Sequence, residues 1–316
     1  MQLKPINQQV VAVVGATSGI GRITALQFAE KGAKLVISGR SEDKLASLRS
    51  EIQNLGSEAV SILADVSDFS QVQAVADKAI ATYGRLDTWV HIPGVAVFAL
   101  FEETTPEEFQ RVINVNLMGQ VYGAMTALPH LKREGRGALI HISSIEGVRS
   151  LPYQSSYSAA KHGIEGFLDS LRVELMHEKV PISVTSIKPA VINTPFWNNA
   201  LTKLGVKPMG IPPYYDPKLV AEAVLYSATH FTRDYYVGDA ARMLAALQRL
   251  SPELVDALLV GIGFKFQRSD EPKSASDRNN VYDTVPEEIR VDGDFKSWVV
   301  PSVSDWLLKT FMAGTK

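Results

Sequence analysis

Two residues four apart, Tyr157 and Lys161 in Tyr157-Ser-Ala-Ala-Lys161, and a serine thirteen positions earlier, Ser144 in Ile142-Ser143-Ser144, are of types that move a proton to or from an oxygen. Helical spacing over 155–178 puts Tyr157 and Lys161 on one face with adjacent side chains. A free phenol, with a pKa of about 10, is a poor base at neutral pH. A cation about 4 Å away at an effective dielectric of about 20 is worth roughly 4 kcal/mol, equivalent to about three pKa units before solvent screening. The lysine is therefore expected to lower the phenol towards its working range. Ser144, ending an apolar strand, is placed to hydrogen-bond an oxygen on which charge develops. By itself Tyr-x-x-x-Lys is a common surface pair, so its meaning depends on the elements that hold it.

Those elements begin at Val10-Val-Ala-Val-Val-Gly15-Ala-Thr17-Ser18-Gly19-Ile20-Gly21, followed by Arg22-Ile-Thr-Ala-Leu-Gln-Phe-Ala-Glu30. An apolar run too short for a core helix, broken by glycines and resumed at helical spacing, reads as buried strand, tight turn and helix. Such a turn aims backbone N–H groups and the positive helix end at a phosphate, and its glycines let the backbone approach a pyrophosphate. The spacing Gly-x-x-x-Gly-x-Gly is looser than the common dinucleotide fingerprint, and the turn alone is a weak signal. Further strands are predicted at 33–38, 58–64, 86–92, 138–142, 182–188 and 235–237. Helical stretches lie between them: one from Ser41, then 68–83, 106–131 in two pieces, 155–178, and one from Asp216-Pro217 to Thr229. Strands separated by helices of this length require parallel pairing with right-handed crossovers. The expected fold is α/β, a Rossmann-type doubly wound parallel sheet in a single domain over 1–238, with a helical C-terminal extension over 239–316. Ligands of such sheets lie at the carboxyl ends of the strands, near the switch point.

Arg40, in Gly39-Arg40, follows the second strand, where dinucleotide folds meet the adenosine ribose. An acidic residue there would bind the 2′-hydroxyl, whereas arginine grips a 2′-phosphate through charge-assisted, forked hydrogen bonds. NADP(H) is therefore expected in preference to NAD(H), which stays possible; the competing reading is a solvated surface arginine. Asp65, in Ala64-Asp65-Val66, is placed to accept from an adenine amino group, or else to cap a helix.

The 316 residues are 46% apolar and 21% charged, ordinary for a globular core, with a formal net charge of −2 that supplies no basic surplus for a nucleic-acid partner. No cysteine is present, which excludes disulfides, thiolate metal sites and cysteine nucleophiles and is compatible with the cytosol. No metal site is indicated by the spacing of ligand-type residues. The N-terminus lacks a basic segment followed by an apolar one, no run is long enough to span a bilayer, and a cytoplasmic, soluble protein without a membrane partner is expected.

With these motifs in place, residues 8–238 resemble the short-chain dehydrogenase/reductase family. Gly15-Ala-Thr-Ser-Gly-Ile-Gly21 is similar to its cofactor loop, with Val14 where threonine is usual. Asn116, Ser144, Tyr157 and Lys161 match its four catalytic positions. The resemblance implies that Tyr157 is the acid/base, that Lys161 also grips the nicotinamide ribose, and that Asn116 helps hold Lys161 through water. Pro189-Ala190-Val-Ile192-Asn-Thr194 looks like the loop holding the nicotinamide carboxamide, with Ala190 where glycine is usual. His91-Ile92-Pro93-Gly94 departs from the family's Asn-Asn-Ala-Gly. Pro93 removes an N–H donor beside the cofactor, and His91 reads as a core histidine rather than a ligand. The expected function is hydride transfer between NADP(H) and a small-molecule carbonyl or alcohol substrate, apolar and fairly large, by a homo-oligomer. A nucleotide-sensing binding protein on the same fold is the alternative, motivated by the altered 91–94 motif.

From Pro195-Phe196-Trp197 to Tyr214-Tyr215 the apolar content suggests a cover over the substrate, or equally a segment packed on the domain. In the extension, Leu244, Leu247, Leu254 and Leu258 form a helical stripe, and the 306–311 stretch another. These are expected to bury against protein, ahead of a subunit contact or membrane docking. Residues 268–280 are polar and read as a linker or mobile loop whose deletion should be tolerated.

Overall fold

The computed structural model describes residues 3–285 and 289–313. Strand β1 (Val10–Val14) leads through the glycine turn into α1 (Gly19–Glu30), followed by β2 (Lys34–Gly39), α2 (Glu42–Asn54), β3 (Ala59–Leu63), α3 (Phe69–Tyr83) and β4 (Thr88–His91). After the short β5 (Val97–Phe98) come α4 (Pro106–Ile113), α5 (Gly119–Arg133), β6 (Gly137–Ile142), α6 (Ser155–Glu178) and β7 (Ile182–Pro189). The chain continues through α7 (Phe196–Asn199), β8 (Leu201–Thr202), β9 (Val206–Pro208), α8 (Pro217–Ser227) and β10 (Asp234–Val237). The extension holds α9 (Asp239–Leu250), α10 (Pro252–Leu258), the single turn α11 (Phe264–Phe266), β11 (Arg268–Pro272) and α12 (Val303–Ala313).

Seven strands form one parallel sheet in the order β10-β7-β6-β4-β1-β2-β3, with helices on both faces. All residues of β1 and β4 are buried, the pattern of central parallel strands covered on both sides. The order reverses between β1 and β4, so a crevice opens at their carboxyl ends, where the glycine turn begins. The Rossmann-type class expected from the alternation of elements is the one observed.

The two pieces expected over 106–131 are α4 and α5, joined by a π-helical turn over Asn114–Met118 rather than by a break. Such single wide turns are frequent at functional sites, and this one carries Asn116, fully buried. Helix α8 starts as its sequence indicates, with Asp216 accepting from the Lys218 N–H and Pro217 in the first turn.

The extension departs from expectation in two ways. Residues 268–280 are not a free linker. Strand β11 pairs antiparallel with β9, Arg268 donates to the Leu204 carbonyl (3.0 Å), and Ser269 to that of Lys207 (2.8 Å). Polar composition hid this because the segment satisfies its neighbours through main-chain and charged groups rather than apolar burial.

The leucine stripe is buried only in its first half: Leu244 and Leu247 are half-buried, and Leu244 packs beside Ile145. Leu254 and Leu258 are 48% and 44% exposed, and Trp306 is 62% exposed; the Phe311 side chain lies outside the described residues. Ala241 and Ala245 are the most buried residues of α9 and pack with Leu244 on Ile145 and Val148, the small side chains letting the helix approach the turn after β6 closely. Polar anchors fix α12. The Asp239 carboxylate accepts from the N–H groups of Val303 and Ser304 (both 2.9 Å), and buried Asp305 accepts from the Gly238 N–H (2.8 Å) and from Arg242 (2.9 Å). Among the described residues no helix is long and apolar enough to cross a membrane.

Candidate active site

The glycine turn is shaped by close approach. A Cβ on Gly21 would sit 1.9 Å from the Gly15 carbonyl oxygen, and one on Gly19 would meet Thr194 across the cleft at 3.3 Å. Gly15 has φ +79°, and a Cβ there would be 2.7 Å from the ring of Pro93. This packing accounts for the 91–94 departure locally: the proline ring fills the space that Gly15 leaves open. Around this turn a cleft, open at its mouth, is lined by Gly15, Thr17, Ser18, Gly19, Ile20 and Gly21. Arg40, Asp65, Val66 and Gly94 line it on one side, and Pro189, Ile192 and Thr194 on the other. Ser144, Tyr157 and Lys161 form its wall. Every cofactor-binding residue expected from the sequence thus faces one space.

Ser144 lies two residues beyond β6 and caps the short turn that follows, its Oγ accepting from the Glu146 N–H at 3.1 Å, so its own hydrogen is available to another oxygen. Lys161 is buried, donates to the Ile142 carbonyl at 2.9 Å and lies 5.3 Å from the centre of the Tyr157 ring. Asn116 does not reach into the cleft. Its side chain clamps Val95, accepting from its N–H and donating to its carbonyl, both at 2.8 Å, and so shapes the backbone after Gly94.

The expected lowering of the phenol is not what the surroundings of Tyr157 do. Burial pushes the Tyr157 pKa above its ordinary value and nearby Glu146 adds to this, while a hydrogen bond with Ser144 pulls it down. The through-space estimate omitted desolvation, which dominates here. The lysine moves the other way: burial pulls Lys161 down to about 8, against the opposing pull of Glu146 and Glu165.

Sequence reasoning missed Glu146. It is 5% exposed, lines the cleft two residues after Ser144, and accepts from Ser158 Oγ at 2.7 Å. Burial pushes its carboxyl up to about 8, with Ser158 and Lys161 opposing. An acidic residue just beyond a strand's carboxyl end was the available signal. In an unfolded chain Glu146 ionises near 4.5, while in the folded chain it keeps its proton to about 8. Its contribution to stability therefore falls as pH rises from about 4.5 to about 8 and is level above. Urea denaturation across this window is expected to show that fall in the native protein and a flatter profile in Glu146→Gln.

Asp65 is occupied by Ser67, through its N–H (2.9 Å) and hydroxyl (2.7 Å), and by Arg111 (2.9 Å). These bonds hold its pKa below the usual carboxylate range despite burial. The helix cap is Asp68, which accepts from the N–H groups of Ser70 and Gln71. His91 is fully buried, its ring beside Trp89 and stacked 6.2 Å from His141. Burial holds His91 well below its ordinary pKa and so neutral, as a core histidine.

On the substrate side, Phe196 lies over the cleft with its ring centre 5.7 Å from that of Tyr157 and 5.3 Å from that of Trp197. Trp197 is fixed by donation to the Ile192 carbonyl at 3.0 Å, and packs on Phe98 and Tyr214. The segment after β7 is therefore both a packed lid and a cleft wall.

Residues 9–204 match the family model described as short chain dehydrogenase. The chain is 38% identical over 285 residues to the uncharacterized oxidoreductase YxnA of Bacillus subtilis, covering 90% of this chain and 80% of YxnA. It is 32% identical over 260 residues to the putative oxidoreductase SadH of Mycobacterium tuberculosis, covering 82% and 93% of the two chains. Among solved structures it is similar to an alcohol dehydrogenase from Thermococcus sibiricus complexed with 5-hydroxy-NADP, with a TM-score of 0.64 and 26% identity, covering 72% of this chain and 95% of that one. The chain belongs to the short-chain dehydrogenase/reductase family and is an NAD(P)-dependent oxidoreductase.

Proposed function

We propose that this oxidoreductase interconverts an apolar carbonyl compound and its alcohol with NADP(H) as the preferred cofactor. The observation that carries the reading is the convergence of Ser144, Tyr157 and Lys161 on one wall, with the glycine turn beside them and Phe196 above. A nicotinamide dinucleotide fits the residues present: the close glycine backbone and the N-terminus of α1 would hold its pyrophosphate, Thr194 faces the turn, and Lys161, on the wall of the same cleft, would hold its ribose. When bound, it supplies or takes the hydride. The Ser144 hydroxyl orients the substrate oxygen and stabilises the charge that develops on it. Tyr157 exchanges its phenolic proton with that oxygen. Lys161, beside the ring, stabilises the phenolate left behind, and Asn116 holds the Val95 backbone at the edge of the cleft. Phe196, Trp197 and Val191 make the substrate side apolar, which favours ketones and aldehydes with hydrocarbon substituents.

Turnover of a panel of such compounds with NADPH tests the reading, and cofactor binding without turnover across the panel would oppose it. Arg40 supports the cofactor preference, being the cation beside Gly39 at the adenosine end of the cleft. Arg40→Ala is expected to weaken NADPH binding by about tenfold or more and NADH much less, because the charge-assisted bonds are available only to the 2′-phosphate. Equal losses in titration calorimetry would make Arg40 structural.

A further inference from the structure

Arg40 is engaged by the C-terminal extension. Its Nη1 donates to the carbonyl of Tyr282 (3.1 Å), and its Nη2 to those of Asn280 (2.8 Å) and Asp283 (3.2 Å). Two neighbouring cations hold the same segment. Arg111 Nε donates to the Val281 carbonyl at 2.8 Å, and Lys44 donates to that of Val285. Three side chains from the end of β2, from α2 and from α4 thus bind five carbonyls between 280 and 285.

The Val281 side chain is fully buried, in the core cluster that includes Val66, Val112 and Val115. Asn280 lines the cofactor cleft, with its N–H on the Asn199 carbonyl (2.9 Å) and its Oδ1 buried without a partner. Farther on, the Arg290 carbonyl accepts from the Gly19 N–H at 3.1 Å, and the Gly293 N–H donates to the Asn193 carbonyl at 3.1 Å. The extension therefore touches both the adenosine end of the cleft and the glycine turn.

A guanidinium has five N–H donors, and three of the five on Arg40 are taken by these carbonyls, including both on Nη2. A 2′-phosphate brought to Arg40 must displace carbonyl oxygens, whose partial negative charge also repels it. A ribose with a free 2′-hydroxyl makes no such demand. We propose that segment 280–283 is an internal competitor of the 2′-phosphate for Arg40, so that NADP(H) binding is coupled to release of this strap and the strap sets the NADP(H)-to-NAD(H) ratio. The proposal rests on the reading of Arg40 as the 2′-phosphate ligand.

The test compares adenosine 2′,5′-bisphosphate with 5′-AMP, which differ only in the 2′-phosphate, by titration calorimetry on the full chain. Val281→Gly removes the buried anchor of the strap without altering a cleft-lining side chain. It is expected to tighten the bisphosphate by about tenfold or more, equal to ~1.4 kcal/mol, with 5′-AMP changed less than about twofold. An unchanged ratio of the two affinities, or equal weakening of both, overturns the proposal. Arg40→Ala separates the two readings. If it leaves the ratio at the native value, the assignment of Arg40 to the 2′-phosphate fails; if it abolishes the bisphosphate preference while Val281→Gly does nothing, the strap proposal alone fails.

Hydrogen exchange on the native protein gives a measurement independent of how the glycine variant folds. Amides within 275–285 are expected to exchange faster with saturating bisphosphate than with saturating 5′-AMP. Equal or slower exchange overturns the coupling.

Discussion

Tyr157→Phe is expected to lower kcat by about 10³-fold or more, while NADPH binds with close to native affinity. The substitution removes only the phenolic O–H; the ring keeps its place against Phe196 and beside Lys161. The environment of Tyr157 makes the loss severe. Burial and Glu146 hold the phenol above its ordinary pKa, so the resting side chain is protonated and able to give its proton to a substrate oxygen. The Ser144 hydroxyl can still bond that oxygen in the variant, but it has no comparable proton to give. Steady-state turnover of a verified substrate, together with cofactor titration, checks both halves. Near-native turnover in the phenylalanine variant would remove Tyr157 from the acid/base role.

Removing 239–316 is expected to give aggregated or poorly folded protein, visible as loss of the monodisperse species in size-exclusion chromatography. Three faces would be uncovered together. Ile145 and Val148, beside Ser144, would lose α9; Tyr214 would lose the Phe295 ring stacked on it at 4.6 Å; and Val281 would leave the main core. Fully burying one valine is worth about 1.5–3 kcal/mol, so several such losses approach the whole stability of a domain. Removing only 268–280, tolerable for a linker, is now expected to lower stability as well. That segment supplies β11, the Lys273 bonds to the carbonyls of Asn198 and Ala200, and the Asn280 bond to Asn199 that precedes the strap. A soluble, fully active enzyme after the larger deletion would make the extension an independent appendage.

The sequence by itself determined the sheet and the place of its chemistry, because those depend on short-range rules. Apolar runs such as Val10-Val-Ala-Val-Val14 between amphipathic helices leave few alternatives to a doubly wound sheet, and a glycine turn after the first strand marks the switch-point crevice. Tyr157 and Lys161 were legible as neighbours because helical spacing fixes their shared face.

Tertiary structure decided what depends on distant segments meeting. The pKa order of Tyr157, Lys161 and Glu146 follows from how deeply the wall is buried, which spacing does not encode. The role of Asn116 depends on Val95 standing opposite a π-helical turn. The buried face of α9 combines Ala241 and Ala245 with Leu244, while the leucines of α10, Leu254 and Leu258, stay exposed because no element among the described residues covers them. The surroundings of Arg40 were the least legible of all: the carbonyls that hold it lie some 240 residues away in a polar stretch. Backbone oxygens are the same in every residue, so no side-chain pattern announces where they will meet a cation.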